Sequence, residues 1–339
     1  MLRVAINGYG RIGRSVLRAL YENDYRDHLQ VVAINELSDI ETISYLTRYD
    51  TTHGRFPKPV SISENSLIVG DDKIRCFHCE TPELLDWASL NIDMVLECSG
   101  SFSERNSAQA YLDAGVPRLL LSQPAASDVD ATIVFGFNQD QVKANQRIIS
   151  AASCTTNCLI PVLDTIKEFT GIEHGMAQTI HSAMNDQPVI DGYNPKDLRL
   201  TRSALSSIIP VNTGLSRGIA RLMPDLEGKV GCNAVRVPTL NVSVIDLVLR
   251  TEKAVTKEEI NQRLQQAASL KYAGLLGFTN EPHASVDFNH DPRSVIVDGT
   301  QTQVIDGRMV KLLCWFDNEW GYANRMLDVA KYWADVIIR

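Results

Sequence analysis

The amino-acid sequence predicts an α/β protein, in which a doubly wound parallel sheet is joined to an α+β domain with a mainly antiparallel sheet. In the first half, short apolar runs alternate with helical patterns, and this alternation is typical of a parallel sheet. After about residue 154, long stretches rich in Val and Thr, such as 233–252, favour antiparallel strands. The chain has 339 residues, which suggests roughly two domains of about 100–200 residues each.

The elements of the first domain follow from apolar runs and their periodicity. LRVAIN at 2–7 predicts a buried strand, GYGRIG a turn, and RSVLRALYEN a helix. QVVAINE at 30–36 predicts a second strand that ends in an acid. Further apolar runs at 92–100 and 118–125 end in small residues, and SERNSAQAYLDAG predicts a helix between them.

The second domain is predicted to begin at a helix whose first residue is Cys154, because TTNCLIPVLDTIKEF has apolar residues at helical spacing. TKEE at 256–259 is a capping box that opens another helix. The end of the chain reads as a C-terminal helix. We therefore expect a first domain over 1–153, with the helix at 319–339 packing back on it, and a second domain over 154–318.

Composition excludes several classes of function. The formal net charge is −8, and Lys and Arg form no blocks, so a nucleic-acid groove is not expected. No segment approaches the roughly 18 apolar residues of a membrane span. The start, MLRVAINGYG, lacks a signal-peptide layout, so a cytoplasmic protein is expected. The seven cysteines show no disulfide rhythm and are expected to be thiols.

The glycine turn indicates a dinucleotide site. Gly8, Gly10 and Gly13 form G-x-G-x-x-G between a predicted strand and a predicted helix. The three glycines permit a tight turn, close approach of a pyrophosphate, and helix–strand packing. Glu36 ends the second strand, where a carboxylate accepts from ribose hydroxyls and repels a 2′-phosphate, which favours NAD over NADP. The alternative is a glycine-rich turn without a ligand.

Cys154 lies in SAASCTTNC, among small and hydroxyl-bearing neighbours at a predicted helix start. Free backbone amides and the helix dipole stabilise a thiolate there and can hold an oxyanion. His181, at the predicted end of a strand in AQTIHSAMNDQ, is the candidate base. From spacing alone, a purely structural histidine remains the alternative. CFHC at 76–79 resembles metal-ligand spacing, but no second pair accompanies it, so no metal site is predicted.

Four segments in combination resemble the glyceraldehyde-3-phosphate dehydrogenase superfamily. They are INGYGRIGR at the start, SAASCTTN, NAVRVPTLNVSV at 233–244 and WFDNEWGYANR at 315–325. The resemblance covers nearly the whole chain. It implies a Rossmann-type first domain, NAD as cofactor, a small phosphorylated aldose as substrate, and a homotetramer. No nucleic-acid or membrane partner is implied.

The resemblance also implies site residues and a mechanism. The Cys154 thiolate attacks an aldehyde, His181 removes the hydroxyl proton as hydride passes to the nicotinamide, and a thioester remains on Cys154. The substrate-binding positions that match the family are Ser153, Thr155, Arg199, Arg202, Thr213, Gly214 and Arg236. The cofactor-binding positions are Gly8, Gly10, Arg11, Ile12, Gly13, Glu36, Ser122, Asn318 and Tyr322. For Arg236, in a strand pattern, an internal carboxylate is the alternative to an anionic ligand.

The segment after His181 departs from the glycolytic member of the family. Met184 and Asp186 stand where a threonine-rich run is expected; Asp186 repels a phosphate and Met184 cannot donate to one. This segment and 285–302 resemble the erythrose 4-phosphate branch of the superfamily, which implies release of the thioester by water. Two alternatives stay open, a phosphorylating glyceraldehyde 3-phosphate enzyme and a catalytically silent NAD-binding sensor.

Overall fold

The computed structural model describes residues 1–195 and 197–338, which fold into two compact units. Unit 1 comprises 1–153 together with 322–338, and unit 2 comprises 154–321. Within the described residues, no helix combines the length and the apolar character needed to cross a membrane.

Unit 1 is built on a nine-stranded sheet that is parallel through its centre. Its strands and the two strands of a small separate ribbon are β1 (Leu2–Asn7), β2 (Leu29–Asn35), β3 (Tyr49–Asp50), β4 (Gly54–Arg55), β5 (Val60–Ser63), β6 (Ser66–Val69), β7 (Asp72–Phe77), β8 (Met94–Glu97), β9 (Leu119–Leu121), β10 (Ala131–Thr132) and β11 (Ile148–Ser150). The sheet order is β10-β11-β9-β8-β1-β2-β7-β6-β5, and the ribbon pairs β3 with β4. Only β5, β6 and β7 pair antiparallel among the described strands of this sheet. The alternation of strands and helices therefore gives the predicted parallel sheet.

The helices of unit 1 are α1 (Arg11–Glu22), α2 (Ile40–Arg48), α3 (Arg105–Asp113) and most of α7 (Trp320–Ile338). Strand ends determine where polar groups gather. Asn7 is in register with both Asn35 and Glu97, and Glu97 is in register with Leu121. Because these strands are parallel, the residues that follow them lie along one edge of the sheet, as expected for a ligand site in an open α/β sheet.

The core of unit 1 forms on both faces of this sheet. Strand β1 reads LRVAIN because a central parallel strand is covered on both sides, and Val4, Ala5 and Ile6 are fully buried. Trp87 is also fully buried, and its indole nitrogen donates to the Pro82 carbonyl at 2.7 Å. The C-terminal helix α7 bonds to the same unit, since Tyr25 Oη donates to Asp328 Oδ1 at 2.8 Å.

Among the residues that the structure describes, unit 2 contains a second sheet and three α-helices of its own. Its strands are β12 (Ile172–His181), β13 (Ile209–Val211), β14 (Val230–Arg236), β15 (Ser243–Thr251), β16 (Leu276–Thr279), β17 (Val295–Asp298), β18 (Gln303–Ile305) and β19 (Met309–Phe316). The order is β13-β14-β12-β15-β19-β17-β16, with β18 beside β19. Its helices are α4 (Cys154–Thr170), α5 (Leu215–Leu222) and α6 (Lys257–Ser269). The predicted capping box is present, with Thr256 as the N-cap of α6 and Glu259 as its partner.

The stretch 233–252 forms strands as predicted, but these strands do not pair with each other. Strand β14 pairs parallel with β12 on one side, and β15 pairs antiparallel with β12 on the other. The chain therefore crosses from one side of β12 to the other between β14 and β15. This arrangement makes His181 and Arg236 register partners at the ends of β12 and β14.

Candidate active site

Cys154 is the first residue of α4, and the backbone before it turns sharply. Ala152 has φ +59°, in the left-handed region that side chains with a Cβ rarely adopt. The Ala152 carbonyl accepts from Tyr322 Oη at 3.0 Å, and the Ala152 amide donates to Ser150 Oγ at 3.1 Å. Small residues are needed here because the chain is buried as it passes from strand β11 into α4.

His181 ends β12 and lies beside the thiol. Its Nε2 is 3.8 Å from Cys154 Sγ, and its Nδ1 is 2.8 Å from the Ser182 carbonyl oxygen. A carbonyl only accepts, so Nδ1 carries the proton and, in the neutral ring, Nε2 has the free lone pair. The ring therefore presents a proton acceptor to the thiol, which is the arrangement of an activated nucleophile.

Burial disfavours the charged forms of both groups. It raises the pKa of the Cys154 thiol to about 12, against the smaller opposing effect of the Thr155 and Cys154 backbone amides. Burial also lowers the pKa of His181, although its bond to Ser182 opposes this. The sequence predicted a thiolate stabilised by the helix start; the structure has the amides in place, but desolvation is larger. We therefore expect the proton to move from Sγ to Nε2 when a reactant binds next to the thiol.

A buried network behind His181 was not predicted. Ser182 Oγ and Ser243 Oγ both donate to Asn318 Oδ1, at 3.0 and 2.8 Å, and the Ser182 amide donates to Ser243 Oγ at 3.0 Å. Serine is common in strands and loops, so neither position gives a sequence signal apart from its closeness to His181 and to the motif at 233–244. The network fixes the side chain of Asn318, which belongs to unit 2 together with the thiol and the imidazole.

Arg236 has an internal partner. Its guanidinium donates to both carboxylate oxygens of Asp186, at 2.6 and 3.3 Å, in a bidentate pair. The Arg236 side chain is 12% exposed and that of Asp186 is 53% exposed. Of the two readings of this arginine, the structure shows the internal carboxylate, and the repulsive Asp186 is itself neutralised. The Arg236 charge also contributes to lowering the pKa of His181.

The remaining predicted substrate residues of unit 2 lie in three places. Thr155 is in the first turn of α4. Gly214 is the N-cap of α5, and Thr213 Oγ1 accepts from the Leu215 amide at 3.2 Å. Arg202 pairs with Asp191 at 2.9 Å.

Arg199 is exposed in a short 3-10 helix, Leu198–Thr201. Met184 is 47% exposed in the segment after His181. Ser153, half-buried, is the last residue of the first segment of unit 1.

Neighbouring backbone atoms leave no room for a side chain at two of the three glycines of the turn in unit 1. Gly8 has φ +83°, and a Cβ there would lie 2.5 Å from the Ser99 amide nitrogen. A Cβ on Gly13 would lie 2.2 Å from the Gly8 carbonyl oxygen. A Cβ on Gly10 would meet no atom within 4 Å, and Gly10 is the N-cap of α1 without a side-chain cap. Gly8 and Gly13 therefore serve packing, while Gly10 leaves open space over the helix start.

Glu36 faces this open space. Its Oε2 accepts from the Tyr9 amide at 2.8 Å and its Oε1 from the Leu37 amide at 2.7 Å. A carboxylate has about four acceptor positions, so two remain for hydroxyl donors. Glu36 and Gly10 line two cavities, of about 370 and 240 Å³, within unit 1. The carboxylate is thus pinned at the point where a ribose is expected.

Glu97 also stabilises the glycine turn, and the sequence analysis did not predict a role for it. It is fully buried, which raises its pKa, and it accepts from the Ser99 amide and from Asn7 Nδ2, at 2.7 and 2.8 Å. Ser99 is the residue against which Gly8 packs. The available signal was an acid at the end of the apolar run IDMVLECSG.

The other predicted cofactor residues of unit 1 have distinct surroundings. Arg11 forms a salt bridge with Asp50, and this pairing, with backbone amides of residues 52 and 53, holds the pKa of Asp50 far below its usual range. The Arg11 side chain is therefore engaged, while Ile12 follows it in the first turn of α1. Ser122 follows β9, and its amide donates to the Glu97 carbonyl at 2.9 Å. Tyr322, as described, bonds to Ala152.

The residues present fit NAD. The open Gly10, the helix start of α1 and the pinned Glu36, all in unit 1, suit a pyrophosphate and a ribose diol. Among the residues that the structure describes, no group of three or more His, Cys, Asp or Glu side chains is placed to hold a metal ion. Cys79, in the CFHC segment, instead donates its thiol hydrogen to the Thr81 carbonyl at 3.2 Å.

Comparison with known families gives two matches. A family model described as glyceraldehyde 3-phosphate dehydrogenase, NAD binding domain, matches residues 2–105. A second, described as glyceraldehyde 3-phosphate dehydrogenase, C-terminal domain, matches residues 153–318. The two ranges span most of the chain and bear out the superfamily resemblance, the α/β fold and the NAD cofactor. The chain therefore belongs to the glyceraldehyde-3-phosphate dehydrogenase superfamily, as an NAD-dependent dehydrogenase that oxidises a phosphorylated aldehyde.

Proposed function

We propose that this protein is an erythrose-4-phosphate dehydrogenase, which oxidises D-erythrose 4-phosphate to 4-phosphoerythronate and releases the product from Cys154 with water. The reaction would belong to the synthesis of pyridoxal 5′-phosphate, in the cytoplasm. We further propose a homotetramer, with 1–153 and the C-terminal helix as the NAD-binding domain and 154–318 as the catalytic domain.

Cys154 and His181 carry the proposed chemistry. As the aldehyde arrives, His181 Nε2 takes the thiol proton and Sγ bonds to the carbonyl carbon. The imidazolium returns the proton to the developing oxyanion, which gives a neutral hemithioacetal. NAD, when bound, supplies the hydride acceptor. His181 removes the hydroxyl proton as the hydride leaves, and a thioester remains on Cys154.

Hydrolysis uses the same pair. After His181 has lost its proton to solvent, Nε2 takes a proton from a water molecule that attacks the thioester carbon. The C–S bond breaks, the carboxylic acid leaves, and the Cys154 sulfur regains a proton from His181. Every proton is thus accounted for by one base.

The Asp186–Arg236 pair is the main support for water, and not inorganic phosphate, as the acceptor of the acyl group. Arg236 is the register partner of His181 on the neighbouring strand, and its charge acts on the pKa of His181. Its charge is neutralised by a bidentate carboxylate, at 2.6 and 3.3 Å. Inorganic phosphate would have to displace Asp186 and meet its negative charge, whereas water does not. Met184, in the same segment, offers no hydrogen-bond donor.

Other positions complete the proposed site. Hydroxyls and amides at Ser153, Thr155, Thr213 and Gly214, with the guanidinium groups of Arg199, Arg202 and Arg236, are proposed to bind the substrate and its phosphate. In the NAD site, we propose roles for Gly8, Gly10, Arg11, Ile12, Gly13, Glu36, Ser122, Asn318 and Tyr322. Arg11, Arg202 and Arg236, whose side chains are paired, would act by backbone contact or after exchanging partners.

The deciding experiment is the initial rate of NADH formation with erythrose 4-phosphate or glyceraldehyde 3-phosphate, each with and without inorganic phosphate. We expect a preference for the four-carbon sugar and no requirement for phosphate. A preference for glyceraldehyde 3-phosphate that depends on phosphate would identify the phosphorylating enzyme instead. Absence of turnover with NAD binding intact would favour a sensor.

A variant pair tests the argument about Asp186. Asp186→Asn removes the charge that faces Arg236, so inorganic phosphate should become a better acyl acceptor or a stronger inhibitor, by about tenfold in its half-effect concentration. Asp191→Asn removes the comparably exposed partner of Arg202 and is the matched control. Equal phosphate sensitivity in both variants and the parent would contradict the proposed role of Asp186.

A further inference from the structure

One cavity of unit 1 combines a ligand-sized volume with an excess of positive charge. It has a volume of about 670 Å³ and shares no lining residue with the two cavities beside Gly10. Its charged lining residues are Arg3, Lys73, Arg75 and Glu64. The whole chain has a formal net charge of −8, so a local excess of cations runs against its average. We call this site the basic cavity; volumes of about 300–1,000 Å³ are typical of small-molecule sites.

The basic cavity exists because one face of the sheet is only partly covered. On this face, Ala33 belongs to a buried cluster with residues of α3 and of 87–92, and Phe77 packs against that cluster. Arg75 is the register partner of Ala33, and Lys73 lies two positions before it, so both basic side chains share the face of Phe77. Both are exposed, whereas Ala33 is fully buried. The cover of this face therefore ends at β7.

Arg75 offers hydrogen-bond donors to a ligand. Its guanidinium carbon lies 4.8 Å from the centre of the Phe77 ring, so the flat side of the group is held by the ring. The N–H groups lie around the edge of the guanidinium plane, and no carboxylate among the described residues pairs with them. A planar fork of this kind matches the oxygens of a phosphate group.

Arg3 is held in place without losing its charge. Its Nε donates to the Asn91 carbonyl at 3.0 Å and its Nη2 to the Leu90 carbonyl at 3.1 Å. Carbonyl groups are neutral, so these bonds orient the guanidinium and leave its charge uncompensated. The nearby acid, Asp93, bonds to the backbone amide of Arg3, at 2.8 Å. Arg3 thus adds a fixed positive charge to the basic cavity.

Lys73 has a partner that a ligand can replace. Its Nζ lies 3.3 Å from Glu64 Oε2, and the two side chains are 58% and 83% exposed. Exposed ion pairs of this kind are weak, since water screens both charges. A phosphate group can therefore take the place of the carboxylate on Lys73.

The rest of the lining suits hydroxyl groups. Gln30, Asn65 and Asn91 contribute side-chain amides, which both donate and accept hydrogen bonds. Among the described lining residues there is no aromatic side chain, so a nucleotide base would have no ring to stack on. The lining therefore favours a compact anion that is rich in hydroxyls over a nucleotide.

We propose that the basic cavity binds a phosphorylated sugar or polyol, with its phosphate on Lys73 and Arg75 and its hydroxyls on the amide side chains. A phosphate monoester carries a charge of about −1.5 to −2 at pH 7, which matches more than one cation. The site belongs to unit 1 alone. It goes beyond the proposed oxidation and does not depend on it.

The test is a lysine footprint with sorbitol 6-phosphate, which has no carbonyl group and cannot react with Cys154. The full-length protein, saturated with NAD, is acetylated lightly at constant ionic strength, and mass spectrometry gives the rate at each lysine. Bound probe should slow acetylation of Lys73 about fivefold or more, with a half-effect concentration of about 1 mM or below. Lys143, exposed in the same unit and outside the basic cavity, should not change.

Two variants should move the half-effect concentration in opposite directions. Arg75→Gln removes the fork and should raise it about tenfold. Arg55→Gln is the matched control, because Arg55 is likewise exposed and lies over a tyrosine ring, at 5.6 Å from Tyr49. Glu64→Gln removes the competing carboxylate and should lower the concentration about threefold, which keeps the test open if Arg75→Gln does not fold.

Several results would overturn the inference. They are the absence of protection, equal protection of Lys73 and Lys143, and a half-effect concentration that is the same in Arg75→Gln and in the parent. Protection by unphosphorylated sorbitol, or equal protection by inorganic phosphate, would contradict a site that recognises both the phosphate and the hydroxyls. The footprint is measured without turnover, so its failure and the failure of the proposed oxidation are distinguishable.

Discussion

The glycine turn of unit 1 and the surroundings of His181 in unit 2 hold their conformations in opposite ways. The turn depends on missing side chains, since a Cβ on Gly8 or Gly13 would lie within 2.5 Å of backbone atoms. Around His181 the order comes from buried side chains, with Ser182, Ser243 and Asn318 bonded at 2.8–3.0 Å. Added atoms damage the first region and deleted atoms damage the second. The first should tolerate almost no substitution, whereas the second should tolerate isosteres that keep hydrogen-bond polarity.

The largest effect is expected where one atom does the chemistry. Cys154→Ser should lower turnover on the order of 10⁴-fold or more, because a serine hydroxyl beside a neutral imidazole is a far weaker nucleophile. NAD affinity should stay within about twofold, since the glycine turn is untouched. Steady-state rates and calorimetric titration check the two parts. Substantial residual turnover would rule out the covalent mechanism.

His181→Asn should lower turnover by about 10²–10⁴-fold, the usual loss when a general base is removed. His174→Asn changes an exposed histidine on the same strand β12 and is the matched control. If the two variants lose activity equally, the effect would come from the strand and not from the base. The comparison is made at saturating aldehyde, so that binding does not mask the chemical step.

Two glycine substitutions separate packing from ligand space. Gly13→Ala should lower the free energy of unfolding by about 2–3 kcal/mol, because the methyl group meets the Gly8 carbonyl. Gly10→Ala should change that free energy by less than about 0.5 kcal/mol and yet weaken NAD binding about tenfold or more, since its methyl group enters open space over α1. Urea unfolding and NAD titration are the measurements. The opposite pattern would mean that the roles of Gly10 and Gly13 are exchanged.

Glu36→Ala should reduce the preference for NAD over NADP by about tenfold, because a carboxylate that repels a 2′-phosphate is lost. Glu80→Ala removes another carboxylate that lines the same cavity and serves as the control. The ratio of kcat/KM for the two cofactors is compared in both variants. An unchanged ratio in Glu36→Ala would place the discrimination elsewhere.

The smallest effect is a shift of the acid limb of the pH profile. His181 must be neutral to accept a proton, and burial lowers its pKa below the ordinary 6.5. As pH falls, the ring therefore stays neutral to a lower pH than an exposed histidine. kcat/KM should still exceed half of its maximum at pH 6.5 and fall only below it. A half-loss at or above pH 6.5 would contradict the neutral pair.

Much of the secondary structure could be predicted from local sequence patterns. The helix beginning at Cys154, the strand ending at His181 and the capping box at Thr256 were all predicted, because periodicity and capping are local properties. The glycine spacing predicted the turn for the same reason. The placement of β14 and β15 on opposite sides of β12 was not predicted, since pairing depends on contacts distant in sequence.

The chemistry of the candidate site was less accessible. The partner of Arg236 is 50 residues away, and which of the two readings holds depended on where the loop with Asp186 folds. The neutral state of the thiol depends on how much of α4 is buried, which a helix-start argument does not include. Ser182 and Ser243 had no signal of their own, because their roles arise only when β12 and β15 pair.

The protonated state of Cys154 also bears on oxidative damage. Peroxides attack thiolates, and the first product on that path is a sulfenic acid. Burial raises the pKa of the Cys154 thiol, so the thiolate depends on proton transfer to His181 Nε2, 3.8 Å away. The reactive form arises when His181 takes the proton during the reaction. The group that activates the nucleophile therefore also governs how readily oxidants attack it.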